Sequence, residues 1–161
     1  MGQGVFLSTY EKQLDGKRRL LIPQEYRTAD NGAEHGVFCF PSMEFDCLEA
    51  GGEPLFGMYR ALIDSLPFGD PYRSALEASF YGAQKPLAFD AGGRITLPDY
   101  MCEQNGLSDT VVIFGVGDRF QIWNQDKWRA HLAEQNRIVR EGRAAFSAMR
   151  RPSVVTPGGG A

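Results

Sequence analysis

Residues 15–23 read DGKRRLLIP, and residues 90–98 read DAGGRITLP. Each stretch opens on Asp, reaches Arg four residues later, continues through a short apolar run and stops at Pro. Sliding the chain by 75 positions pairs Asp15 with Asp90, Arg19 with Arg94, Leu20 with Ile95, Ile22 with Leu97 and Pro23 with Pro98. The same offset, held without a gap, pairs Val37 with Val112, Phe38 with Ile113, Phe45 with Phe120, Cys47 with Ile122 and Leu48 with Trp123. A repeat of this length is one supersecondary unit that buries too little surface alone, so the two halves are expected to share one core about a pseudo-twofold axis.

Each half reads as short strands. VFLSTYEKQL alternates as a half-buried strand does, DGKR is a turn, and RLLIP is a second strand ended by Pro23. KPLAF, DAGG and RITLP repeat the pattern, with Gly92 and Gly93 able to take the positive φ of a tight loop. A further hairpin follows in each half, GVFCFPSMEFDCLEA and then TVVIFGVGDRFQIWN, the latter turning at Gly117-Asp118. Between and after the repeats the spacing predicts helices. Leu55, Tyr59, Leu62, Ile63 and Leu66 recur at helical intervals before PFGDP breaks the chain. Asp70 as N-cap and Pro71 at the first helical position start a second helix, with Leu76 and Phe80 on one face. A long amphipathic C-terminal helix carries Trp128, Leu132, Ile138 and Val139 on its apolar side. The predicted segments are a first repeat over 5–50, a helical connection over 51–83, a second repeat over 84–124, the C-terminal helix over 125–151 and a disordered tail over 152–161. The expected class is mainly β with helices.

Composition narrows the function. The 161 residues are 43% hydrophobic and 12% aromatic, within the range of a globular chain. No apolar run approaches the roughly 20 residues of a spanning helix, and the start of the chain lacks the pattern of a secretion signal, so a cytoplasmic protein without membrane contact is expected. MGQGVF also lacks the Ser or Thr of a myristoylation signal. Cys39, Cys47 and Cys102 form no C-x-x-C pair, and with only His35 and His131 beside them they predict buried reduced thiols and neither metal nor cofactor. A net charge of −3 excludes a uniformly basic nucleic-acid binder and leaves room for a local basic patch.

That patch exists. From Tyr10 to Arg27 the cations Lys12, Lys17, Arg18, Arg19 and Arg27 stand against Glu11, Asp15 and Glu25, a net of +2. Lys17, Arg18 and Arg19 fall on or just after a hairpin tip. A two-stranded ribbon fits the DNA major groove, where Arg makes a bidentate contact to guanine and Lys neutralises phosphate. A solvated surface hairpin would carry the same charges. Catalysis finds less support: GVGDRF lacks the third glycine and the Lys of a phosphate loop. Asp15 and Asp90 could pair as acid and base only if the axis brought them together, and each stands where it would orient its own loop.

FLSTYEKQLDGKRRLLIP, FDAGGRITLP and VVIFGVGDRFQIWNQDKW together resemble the MraZ family of bacterial transcriptional regulators, from about Phe6 to about Leu132. The resemblance implies tandem AbrB-like swapped-hairpin domains forming a double-split β-barrel and a ring-like homo-oligomer. It also implies binding to short G-rich direct repeats in promoter DNA, a nucleoid-associated location, and control of the cell-division and cell-wall gene cluster. Asp15 and Arg19 match the first D-x-x-x-R signature, and Asp90 and Arg94 the second. Arg18 departs from the loop glycine usual in the family, and Gly92 from a longer polar residue usual in the second half. The expectation is a non-enzymatic DNA-binding regulator in which Arg19 and Arg94 read bases, Lys17 and Arg18 engage phosphate, and Asp15 and Asp90 hold the hairpins. Its rival is a structural or protein-binding ring with a weak DNA face.

Overall fold

A computed structural model of the chain describes residues 4–151, and the tail expected over 152–161 lies outside the described residues. The chain divides into two compact units, the first ending at Lys127 and the second beginning at Trp128.

Among its described residues the first unit contains eight strands: β1 (Thr9–Gln13), β2 (Arg19–Leu21), β3 (Gly36–Pro41), β4 (Leu48–Gly51), β5 (Lys85–Ala88), β6 (Arg94–Thr96), β7 (Thr110–Gly115) and β8 (Phe120–Asn124). Six of them form an open antiparallel sheet in the order β1-β7-β8-β4-β3-β5, while β2 and β6 pair as a separate ribbon. The architecture is therefore a mainly β structure with several helices. The segments flanking each D-x-x-x-R turn do not zip onto each other. Instead β1 pairs with β7 of the other half, β5 pairs with β3, and β2 and β4 pair with their own counterparts β6 and β8. The expected strand VFLSTYEKQL is interrupted: Phe6 makes an isolated bridge to Gly117, and Ser8 takes φ of 76° before β1 begins.

Register exposes the internal symmetry. In the ribbon, Leu20 sits opposite Ile95, its own equivalent in the repeat. In the sheet, Glu49 of β4 sits opposite Gln121 of β8. The gap-free offset of 75 is corrected by these ladders. It holds for β2 and β6, but Gly36–Pro41 corresponds to Thr110–Gly115 at a separation of 74, and Glu49 to Gln121 at 72. The cause is loop length, since the turn between β3 and β4 spans 42–47 and that between β7 and β8 only 116–119.

One core is drawn from both halves. Leu20, Ile22, Val37, Leu48, Ile95, Leu97, Val111, Ile113 and Ile122 are all buried in it. Tyr26 stacks edge-on to Phe6 at 5.0 Å and tilts on Phe120 at 5.1 Å, and its hydroxyl donates to the Leu7 carbonyl. At the sheet centre Glu49 is fully buried. Its Oε2 lies 2.9 Å from Arg119 Nε and accepts from Gln121 Nε2 at 3.0 Å and Ser42 Oγ at 3.2 Å, while Oε1 accepts from the Tyr59 hydroxyl at 2.7 Å. Burial raises the Tyr59 pKa, with the Glu49 carboxylate adding to the shift.

Helix α1 (Glu53–Asp64) lays Leu55, Tyr59 and Ile63 on a second cluster with Phe40 and Phe80. Helix α2 (Pro71–Glu77) begins as its sequence predicts, the Asp70 carboxylate accepting from the Tyr72 amide at 2.8 Å. Helix α3 (Asp99–Asn105), closed by Gly106 in the left-handed region, falls on a stretch given no helix from sequence. The long C-terminal helix is two: α4 (Gln125–Glu141) and α5 (Arg143–Arg150), separated at Gly142. In the second unit Arg137 pairs with Glu134 and Glu141, and Ile138, Val139, Phe146 and Met149 are exposed.

Candidate nucleic-acid interface

The ribbon presents both signature loops. Loop one, Asp15–Arg19, leads into β2, and loop two, Asp90–Arg94, leads into β6. Because β2 and β6 run antiparallel over three residue pairs, the loops sit at opposite ends of one short ribbon, roughly 10 Å apart along it.

Each loop is built around its aspartate. Asp15 Oδ1 accepts from the amides of Lys17 at 2.9 Å and Arg19 at 2.8 Å, and Oδ2 lies 2.6 Å from Arg19 Nε. Backbone bonds from Asp15 N–H to the Arg19 carbonyl and from Arg18 N–H to the Asp15 carbonyl close the turn. Loop two repeats the arrangement: Asp90 Oδ1 accepts from the amides of Gly92 and Arg94, both at 2.9 Å, and Oδ2 lies 3.3 Å from Arg94 Nε. The spacing follows from the side chain, since a short carboxylate reaches the amides two and four residues on. In both loops the described ion pair is made through Nε of the arginine, one of the five donors of its guanidinium.

These contacts hold both carboxyls below the ordinary value of 3.8. The largest cause is the backbone N–H of Arg19 for Asp15 and of Arg94 for Asp90. A folded-state pKa below the unfolded value contributes order above the unfolded pKa and loses it as pH falls through the folded one. The loops should therefore keep their native geometry at pH 3.8 and open only below it. An NMR titration of the Lys17 and Gly92 amides checks this, and a midpoint at or above 3.8 would refute it. The lowered values also leave both aspartates ionised at neutral pH, the opposite of what a general acid needs.

The two departures from the family pattern land on particular backbone positions. Arg18 takes φ of 60° and its equivalent Gly93 takes φ of 86°, so the loop requires the left-handed region at this position. Gly92, the other glycine able to take a positive φ, is not in that region. An L-residue there costs about 1–2 kcal/mol. Arg18 also has intramolecular partners: its Nε donates to the Leu97 carbonyl at 3.1 Å and Nη1 lies 2.9 Å from Asp99 Oδ1. Lys17 is exposed and makes no ion pair among the described residues.

Other candidates have structural explanations. Gly117, φ of 91°, turns the β7–β8 hairpin, and a Cβ on Gly115 would lie 2.6 Å from the Tyr26 hydroxyl oxygen. Cys39, Cys47 and Cys102 are buried and free, and burial pushes the Cys39 thiol up to about 12. The Glu49 network escaped the sequence reading, because a single Glu in CLEAG carries no sign of its burial.

A family model described as "MraZ protein, putative antitoxin-like" matches residues 80–146. The chain is 55% identical over 147 residues to the transcriptional regulator MraZ of Caulobacter vibrioides strain NA1000 / CB15N, covering 91% of this chain and 94% of that protein. It is 53% identical over 147 residues to the protein of that name from Phenylobacterium zucineum, covering 91% and 92%, and 34% identical over 144 residues to that of Rickettsia akari, covering 86% and 94%. With identity at this level over about nine-tenths of its length, the chain belongs to the MraZ family.

Proposed function

We propose that the chain is a DNA-binding transcriptional regulator that reads short repeated promoter boxes through the tips of its two signature loops. The observation that carries this is the paired arrangement of the loops. One ribbon holds two arginines, each supported at Nε by a carboxylate fixed to its own loop, at a separation that fits within a major groove about 12 Å wide. Arg19 and Arg94 read guanine edges, Lys17 engages phosphate, and Arg18 adds its charge beside the same backbone. Asp15 and Asp90 hold the loops. The reciprocal exchange of β1 and β5 between halves supports the swapped-hairpin, double-split barrel description. The names of the relatives support transcriptional regulation. The cell-division and cell-wall cluster as target, and a nucleoid-associated place in the cytoplasm, are part of this proposal and rest on the family resemblance alone. No helix among the described residues is long and apolar enough to cross a membrane.

One chain offers two small tips, so a homo-oligomeric ring that engages several boxes at once gains affinity by effective concentration. Light scattering should show a species well above a dimer. Genome-wide mapping of bound DNA tests the function as a whole, and a set of sites without a shared repeated box would defeat it. A protein-binding ring with a weak DNA face is the competing description, favoured by the net charge of −3 and the single cation of loop two. Equal mobility shift of specific and scrambled duplexes would select it.

The loops should differ in their electrostatic share. Each phosphate neutralised contributes about 0.9 to the slope of log K against log salt. Lys17→Ala should flatten that slope by about 0.9 per engaged subunit, the Lys17→Ala/Arg18→Ala pair by up to about 2, and Arg94→Ala by no more than about 1. A salt titration of affinity measures all three. Retention of the wild-type slope by the Lys17 variants would move the phosphate-contacting face to loop two.

A further inference from the structure

Two buried carbonyls end the β2–β6 ribbon. Ile22 follows β2 and Leu97 follows β6; both are 0% exposed, and each precedes a proline that has no N–H to offer. The ladder stops one residue earlier in each strand, so these two residues must find partners outside it. Their amides do so symmetrically: Leu97 N–H donates to the Arg18 carbonyl at 2.9 Å and Ile22 N–H to the Gly93 carbonyl at 3.2 Å. Each ribbon end is thereby fastened to the opposite half's loop, at the left-handed residue.

Their carbonyls are satisfied differently. Leu97 accepts from Arg18 Nε, a side chain that stands on the left-handed residue itself. Ile22 accepts from Arg27 Nε at 3.1 Å, five residues farther along its own half. Arg27 passes across Gly93 so closely that an added Cβ there would collide with its guanidinium carbon. The repeat equivalent of Arg27 is Cys102, five residues beyond Leu97 and buried. Burial pushes the Cys102 thiol up, and the charge of nearby Arg18 acts against that shift.

We propose that Arg18 and Arg27 are equivalent positioning residues supplied from non-equivalent chain positions, each capping a ribbon-end carbonyl with a guanidinium and locking one signature loop to the opposite half. At the loop-two junction the guanidinium comes from Arg27 and requires a glycine beneath it. At the loop-one junction the position equivalent to Arg27 is occupied by Cys102, and Arg18 carries the guanidinium on the loop itself, at the expense of a strained φ. The two features belong together: without an arginine at 102 the loop residue is free to have a side chain, and with one it is not. The consequence for DNA recognition rests on the function proposed above, whereas the clamp itself does not.

Relocating the guanidinium tests the idea. The readout is amide exchange in the full chain without DNA, followed at Leu97 and Ile22. Arg18→Gly removes the cap while relieving the backbone, and Leu97 exchange should accelerate roughly fivefold, the loss of about one hydrogen bond. Adding Cys102→Arg should return the rate to within about twofold of wild type, a rescue that loop flexibility alone cannot provide because the Arg18→Gly change is retained. Cys102→Arg with Arg18 still present should not fold as well as the pair, since the side chain at 18 occupies the path. A second variant, Arg27→Ala, carries no buried insertion and should accelerate Ile22 exchange roughly fivefold with Leu97 unchanged. Unchanged exchange at Leu97 in Arg18→Gly or at Ile22 in Arg27→Ala overturns the clamp, as does a folded double variant no slower than the single one. Selectivity for a G-rich direct-repeat duplex over a scrambled duplex is then compared across the variants. If exchange behaves as expected while no substitution in either loop alters selectivity, the clamp stands and the assignment of the loops to DNA falls.

Discussion

Glu49→Ala is expected to destabilise the protein by about 3–5 kcal/mol, the range for removing one partner of a buried ion pair. The carboxylate is fully buried, and four groups depend on it: the Arg119 guanidinium, the Gln121 amide, the Ser42 hydroxyl and the Tyr59 hydroxyl. Arg119, with only 16% of its side chain exposed, would keep Asp118 at 2.8 Å and Glu44 at 3.8 Å but lose the buried counter-charge of Glu49. The network also ties α1 to the sheet through Tyr59, so the loss reaches the second apolar cluster. Glu49→Gln keeps the shape and some of the hydrogen bonds and should cost less. Urea denaturation with an unchanged slope measures both. A loss under about 1 kcal/mol for the Ala variant would mean that water or Asp118 replaces the carboxylate without penalty.

Arg19→Ala and Arg94→Ala should each remove about 1–3 kcal/mol of discrimination between a bound promoter fragment and its scrambled counterpart, the amount attached to one bidentate arginine–guanine contact. The loops are suited to such a contact because their aspartates occupy Nε and restrict a side chain that would otherwise lose much rotamer freedom on binding. The effect should appear mainly in selectivity, in contrast with the salt-slope change expected from Lys17. Competition binding at one fixed salt concentration separates the two. Equal loss of affinity for both duplexes would reduce Arg19 and Arg94 to phosphate contacts.

The signature loops were legible in the sequence because their construction is local. A carboxylate that reaches amides two and four residues away writes its whole requirement into five positions, and the Asp70-Pro71 start of α2 is equally self-contained. The exchange of strands was not legible from alternation, which tells which face of a strand is buried and nothing of its neighbour. β1 finds its partner about a hundred residues away, and only the family resemblance pointed to such an exchange. The drift of the repeat from 75 to 72 was hidden because apolar residues recur densely enough in both hairpins to match at either offset. The break between α4 and α5 turns on one glycine that a helix can also tolerate. Arg18 looked like a free cation because its partners, Leu97 and Asp99, are roughly 80 positions downstream.

The facing pair Glu49 and Gln121 has an implication for how such a chain can arise. Two identical half-length subunits would be obliged to place the same residue on both sides of their axis. Two glutamates there would set like charges against each other in a dry interior, and two glutamines would leave Arg119 with no buried anion. Once the two halves differ in sequence, as one chain lets them, the axis can hold an acid on one side and its amide on the other. Fusion of the halves thus allows a charge asymmetry that symmetric assembly forbids, and a split version of this chain should associate as a mixed pair of its two fragments in preference to either fragment with itself.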